Sequence, residues 1–180
     1  MIIGLSGYAR SGKDTVAQVL VEKYGFQRIA FADKIREFLY DLNPRLDHTL
    51  KDSLRLRDIV DVNGWEKAKI HKVVREYLQD IGVSARNVFG EEFWIKQALA
   101  SMHTGNVVIT DVRFPNEARV IKKLDGELWR VIRPGILPIN DHISEHALDG
   151  WEFDFDIYND SDVNNLTNDI HILMEDEHVF

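Results

Sequence analysis

Gly7, Gly12 and Lys13, near the start of the chain, have the types and spacing of a loop that holds a polyphosphate. Such a ligand must lie within hydrogen-bond reach of several backbone amides at once. Gly7 and Gly12 let the chain turn tightly with no Cβ in the way. The amides of Tyr8, Ala9, Arg10, Ser11, Gly12 and Lys13 can then point into one concavity. A helix starting near Lys13 adds its unpaired N–H groups and the positive end of its dipole. The Lys13 ammonium supplies a full charge for the β and γ oxygens. Asp14 stands where a Ser or Thr usually meets magnesium, and Thr15 follows directly to take part of that role. Ile2, Ile3 and Leu5 before the loop read as a strand. Val16, Ala17, Val19, Leu20 and Tyr24 after it fall at helical spacing.

Other charged residues fall just after apolar runs. Asp33, with Arg36 one turn on, follows 27–32; Asp111 and Arg113 follow 106–110; Arg133 ends 127–133. In open α/β sheets ligands sit beyond the carboxyl ends of the strands, so a parallel sheet would send all of these to the rim that carries Lys13. A carboxylate in the place of Asp111, at the end of a buried strand beside a phosphate loop, is where magnesium is organised directly or through water. Taken singly, Asp33 reads equally well as the N-cap of a helix over 34–42, and Arg36 and Arg133 as solvated charges.

The elements that must position these residues alternate. Strands are expected at the start of the chain and over 27–32, 106–110, 127–133 and 155–159. Helices are expected after the loop, over 34–42, 115–124 and 163–175. From 44 to about 103 the pattern is helical and charged, with Val73, Val74, Tyr77, Leu78 and Ile81 on one face and Phe93, Trp94, Ala98 and Leu99 on another. This gives an α/β fold: a five-stranded parallel sheet flanked by helices, one domain over 1–180 with a helical insertion. Residues 134–150 form a loop with at most one helical turn.

Composition bounds the function. The chain has 180 residues, 44% of them hydrophobic, enough for one α/β core. There is no cysteine, which excludes disulfides and thiolate metal sites. The net charge of -8 argues against a nucleic-acid face and favours small phosphorylated substrates. No apolar run approaches the ~18 residues of a membrane span, and the chain opens inside its first strand. A soluble, cytoplasmic protein is expected.

The loop, the run Asp111-Val-Arg113-Phe-Pro-Asn116-Glu117, Ser144-Glu-His, Tyr158-Asn-Asp160, and the stretches from Arg75 to Gly82 and from Arg86 to Trp94 together resemble the phage-type deoxynucleoside monophosphate kinases, within the wider P-loop kinases. The resemblance covers most of the chain, and the Asp111–Glu117 run is its most specific part. It implies phosphoryl transfer from ATP, with Mg2+, to a nucleoside monophosphate. On this reading 44–103 binds the monophosphate and 134–150 forms the lid. Phage origin would place the enzyme in the host cytoplasm. A homodimer stays open as the assembly.

In that mechanism Lys13, Asp33 and Arg113 are catalytic. Gly7, Ala9, Arg10, Ser11, Gly12, Lys13, Asp14 and Thr15 hold the nucleotide, and Asp14, Thr15 and Asp111 face the metal. Arg113 bridges donor and acceptor; Arg36, Arg75, Arg86 and Arg133 are candidates to clamp the acceptor phosphate. Asp33 orients the acceptor or a metal-bound water. Gln79 and Trp94 are candidates to read and stack the base, against a helix-surface role for Gln79 and a core role for Trp94. One departure from the adenylate-kinase pattern stands out: 134–150 contains neither Lys nor Arg, so a lid cation has to come from the flanking Arg130 or Arg133.

Three other readings compete. His142-Ile-Ser-Glu145-His146 spells the His-x-x-Glu-His of an inverted zinc protease. Pro138, Asn140 and Gly150 leave that pattern little helix to fix its ligands. A GTPase would carry Asn-Lys-x-Asp after a late strand, and Lys122-Lys-Leu-Asp125 only approximates it. Dephospho-CoA kinase is the runner-up within the kinases.

Overall fold

The computed structural model describes residues 1–46, 54–102, 104–138 and 143–176. Two compact units emerge, one of 1–30 with 101–180, the other of 31–100.

In the first unit, β1 (Ile2–Ser6), β2 (Gln27–Ile29), β3 (Val107–Ile109), β4 (Glu127–Ile132) and β5 (Phe155–Tyr158) form one sheet in the order β2-β3-β1-β4-β5. Every pairing is parallel, as alternating strands and helices demand. β3 is Val-Val-Ile and buried throughout, the pattern of a strand covered on both faces. The pleat sends Ile3 and Leu5 to one side, where α1 (Lys13–Tyr24) and α8 (Val163–Asp176) pack. Val16 and Leu20 of α1 meet Leu166, Ile170 and Met174 of α8 there, and each such buried side chain contributes about 1.5–3 kcal/mol. That packing fixes the helix whose first turn follows the phosphate loop. On the other side, α6 (Pro115–Lys123) lays Ile121 against Gly4 and Leu128. A four-residue helix, α7 (Ile143–His146), stands between β4 and β5.

The second unit is helical: α2 (Phe31–Leu42), α3 (Leu56–Ala68), α4 (Lys72–Phe89) and α5 (Phe93–Leu99). Leu39, Leu46, Leu56 and Val74 form its buried centre, with Tyr77, Leu78 and Ile81 packed around them. α3 kinks at Gly64, whose φ is 72°. This unit opens at Phe31, earlier than the 44–103 expected, because α2 belongs with the helices. The expected helix over 34–42 starts three residues sooner, so Asp33 lies inside its first turn and is not the N-cap. The strand before it ends at Ile29, short of residue 32.

Candidate active site

The phosphate loop is shaped by its backbone. Gly7 and Gly12 have φ of 127° and 112°, with Arg10 at 67° between them, so left-handed residues recur along the turn. A Cβ on Gly7 would lie 2.3 Å from the carbonyl oxygen of Val131, and one on Gly12 2.5 Å from Nδ2 of Asn159. Gly7 is therefore required by close approach to backbone as well as by conformation, and Gly12 by its conformation, since the Asn159 amide it would meet is the end of a side chain. α1 begins at Lys13 with no side-chain cap among the described residues, which leaves its first amides to an anion. The Lys13 ammonium donates to the carbonyl oxygens of Gly7 (2.8 Å) and Tyr8 (2.7 Å), across the mouth of the loop.

Burial, and next the Arg113 guanidinium, push Lys13 down to about 8, while Asp14, Glu145 and Asp111 oppose the shift. Arg113, Asp14, Glu145 and Asp111 are thus each within electrostatic reach of Lys13. The turn that carries Asp111 and Arg113 is set by Glu117. Its Oε2 accepts from the backbone amides of Arg113 (2.7 Å) and Phe114 (3.0 Å) while the residue itself is buried. Pro115 starts α6, so Glu117 sits at its third position, where a carboxylate reaches back to free amides. The Arg113 side chain reaches Glu145 of α7 at 2.6 Å.

A cavity of about 330 Å³ adjoins the loop, the size of a small-molecule site. Its walls include Gly7, Tyr8, Ser11, Arg113, Arg133 and Glu145. The Ser11 hydroxyl lines it, buried and without a hydrogen-bond partner among the described residues. Such a group fits an anionic ligand that accepts from it. Of the two arginines flanking 134–150, Arg130 is engaged. It meets Asp156 across the β4–β5 register with bonds of 2.8 and 2.6 Å and stacks on Phe153. Arg133 is exposed at the cavity wall.

The remaining sequence-derived candidates lie in the helical unit. Arg36 pairs with Asp33 at 2.9 Å, and both line a shallow groove with Tyr40 and Trp65. Arg75, Gln79 and Arg86 share one face of α4 by helical spacing, Arg75 and Gln79 exposed and Arg86 half-buried. Arg86 Nε donates to the Gly82 carbonyl oxygen. Trp94 is 7% exposed; its indole donates to that same oxygen at 3.1 Å, and its ring meets Phe38 and Phe93 edge-on. Of the two roles left open for Trp94, the core one is what the structure displays.

Three participants escaped the sequence reading: Glu117 as the carboxylate that sets the turn, Glu145 as the partner of Arg113, and Asn159. Asn159 Nδ2 donates to the Ser11 carbonyl oxygen from the end of β5. The rule of examining residues just after each strand reaches Asn159, and the Pro-x-Glu start of α6 signals Glu117. Glu145 lies in two runs that the sequence singles out, but nothing local gives it Arg113 as a partner. The zinc pattern cannot be followed as a whole because His142 lies outside the described residues. His146 contacts Asp149 at 2.9 Å, and among the described residues no group of three or more His, Asp or Glu is placed to hold a metal. Lys122 of the approximate GTPase signature is on α6, paired with Asp154. No helix among the described residues is long and apolar enough to cross a membrane.

Known proteins resemble this chain over most of its length. The family model for deoxynucleotide monophosphate kinases matches residues 1–68 and 56–170. A protein of Acanthamoeba polyphaga mimivirus named "Putative deoxynucleotide monophosphate kinase" is 32% identical over 159 residues, 82% of each chain. The uncharacterized protein ORF77 of Ictalurid herpesvirus 1 (strain Auburn) is 35% identical over 98 residues, 49% of this chain and 42% of that one. Among solved structures, shikimate kinase from Aquifex aeolicus vf5 is similar over 99% of both chains, with a TM-score of 0.49 and 14% identity. The family match and the mimivirus relative, together with a parallel sheet bearing a phosphate loop, show that the chain belongs to the deoxynucleotide monophosphate kinase family and phosphorylates a nucleotide monophosphate.

Proposed function

We propose that ATP is the donor, seated in the loop from Gly7 to Thr15, and that a (deoxy)nucleoside 5′-monophosphate takes the γ-phosphoryl group directly. The observation that carries this reading is the glycine loop itself, with Lys13 bonded to the Gly7 and Tyr8 carbonyl oxygens and the buried Ser11 hydroxyl on a cavity that Arg113 and Arg133 also line. An acceptor phosphate oxygen forms the new P–O bond as the bond to the β-phosphate breaks, and ADP leaves. The main barrier is repulsion between two anions, so cations and preorganised amides do most of the work. Lys13 and the first amides of α1 hold the donor. Arg113 bridges donor and acceptor, and Arg133 adds a second fork at the cavity wall. Asp33, Arg36, Arg75, Gln79 and Arg86 are proposed to hold the acceptor. Asp33 need not be a strong base, because a monophosphate is already an anionic nucleophile.

Asp14, Thr15 and Asp111 offer only oxygen donors. This suits Mg2+, which binds one or two carboxylates together with substrate phosphates and keeps several waters. Bound there, the ion supplies charge neutralisation at the phosphate oxygens. The reading also places the enzyme in the cytoplasm, the host's if a phage encodes it. Its substrate is a free mononucleotide and not a nucleic acid, and a homodimer is the candidate assembly.

The paired variants Asp111→Asn and Arg113→Lys test it. Asp111→Asn changes charge with little change of shape and should weaken the magnesium dependence of the rate. Arg113→Lys keeps the charge but loses the fork, and should lower turnover about 10-fold or more. A parental magnesium profile in the first, or parental turnover in the second, would reduce this turn to a structural element.

A further inference from the structure

Residues 134–150 lack Lys and Arg, yet they carry carboxylates to the phosphate site. Glu145 Oε1 accepts from Arg113 Nη1 at 2.6 Å, and the Glu145 side chain is 9% exposed against 42% for Arg113. Asp149 accepts from the Tyr8 hydroxyl at 3.3 Å and contacts His146 at 2.9 Å. This segment is therefore tied by one acid to the turn after β3 and by another to the phosphate loop itself. An exposed ion pair of this kind does little, because solvent competes for both partners. Here the carboxylate is covered, and a covered charge is tolerated only when it is paired and hydrogen-bonded.

Arg113 is thus held twice: its backbone amide by Glu117 at 2.7 Å and its guanidinium by Glu145. A guanidinium has five N–H donors in a fixed plane, so a carboxylate on Nη1 orients the others without using them up. We propose that Glu145 is a positioning residue for phosphoryl transfer, holding the Arg113 fork so that its remaining N–H groups meet the transferring group. The cation over the donor then comes from the turn after β3, and the segment that carries no cation of its own supplies its counter-carboxylate. This proposal rests on the role given to Arg113 above.

The test is a double-mutant cycle in the full chain, reading kcat and KM for ATP and for the monophosphate, with thermal unfolding of every variant. Glu145→Gln should lower kcat about 10-fold and move either KM less than about 3-fold, the signature of an interaction made in the transition state. Glu145→Asp, which keeps the charge, should recover kcat to within about 3-fold of the parent. In the Arg113→Lys background, Glu145→Gln should cost less than about 2-fold more, since its partner fork is already gone. Parental kcat in Glu145→Gln, or losses that multiply in the double variant, would overturn the proposal. Should Glu145→Gln show no unfolding transition, the same cycle run with Glu145→Ala decides by the same criterion. Parental kcat in Arg113→Lys alone would instead remove the role of Arg113. A slow Arg113→Lys with multiplying losses would remove only the pairing.

Discussion

Asn159 and Gly12 share one small space. The Asn159 amide nitrogen lies 2.5 Å from where a Cβ on Gly12 would be, and it donates to the neighbouring Ser11 carbonyl oxygen at 2.8 Å. The end of β5 thereby clamps the phosphate loop from a point 148 residues along the chain. Asn159→Ala should leave the Ser11 carbonyl without this donor and loosen the loop, costing about 1 kcal/mol of stability. The expected kinetic result is a KM for ATP raised about 3- to 10-fold with a smaller change for the monophosphate, read from initial rates. An unchanged KM for ATP would show that the loop holds its shape without the clamp.

Lys13→Ala should cut turnover by about 10²-fold or more while the unfolding transition persists, as for loss of a preorganised donor at the transferring charge. The ammonium's two bonds are to the loop carbonyls of Gly7 and Tyr8, so the fold does not depend on it. Near-parental rates would mean that the loop is not the donor site.

The position of Lys13 near 8, below the ordinary 10.5, gives a pH signature. As pH rises through about 8 the free protein loses this charge, so affinity for the triphosphate should fall and kcat/KM for ATP should decline on the alkaline side. Between about 8 and the ordinary lysine value the unfolded chain binds the extra proton, so this group makes stability rise with pH across that window. The check is kcat/KM for ATP against pH in the parent and in Lys13→Arg, which stays charged and should lose the decline. A decline common to both would assign it to another group.

How much of this was legible in the sequence depends on how local the signal was. Val107–Ile109 could be read because a strand covered on both faces is apolar throughout, and the phosphate loop because its glycines answer the positive φ of a tight local turn. The start of α2 was misplaced because Ile29-Ala-Phe-Ala32 is a short apolar run that periodicity cannot divide between a strand end and a helix start. Trp94 stayed ambiguous for a related reason: an aromatic at helical spacing suits a core and a base platform alike, and only its bond to the Gly82 carbonyl oxygen reveals the packing role. Glu145 stood out in the sequence, but its pairing with Arg113 did not. Its partner is 32 residues away, and its neighbours spell a zinc pattern that competes for attention.

The most direct test of the central claim is a coupled assay of ADP release in the presence of magnesium, over a panel of deoxy- and ribonucleoside monophosphates and dephospho-CoA. The expected result is ATP-dependent turnover of at least one deoxynucleoside monophosphate, with one diphosphate product formed per ADP released and no turnover of dephospho-CoA. Phosphorylation of dephospho-CoA, or ADP release with no deoxynucleoside monophosphate consumed, would contradict it.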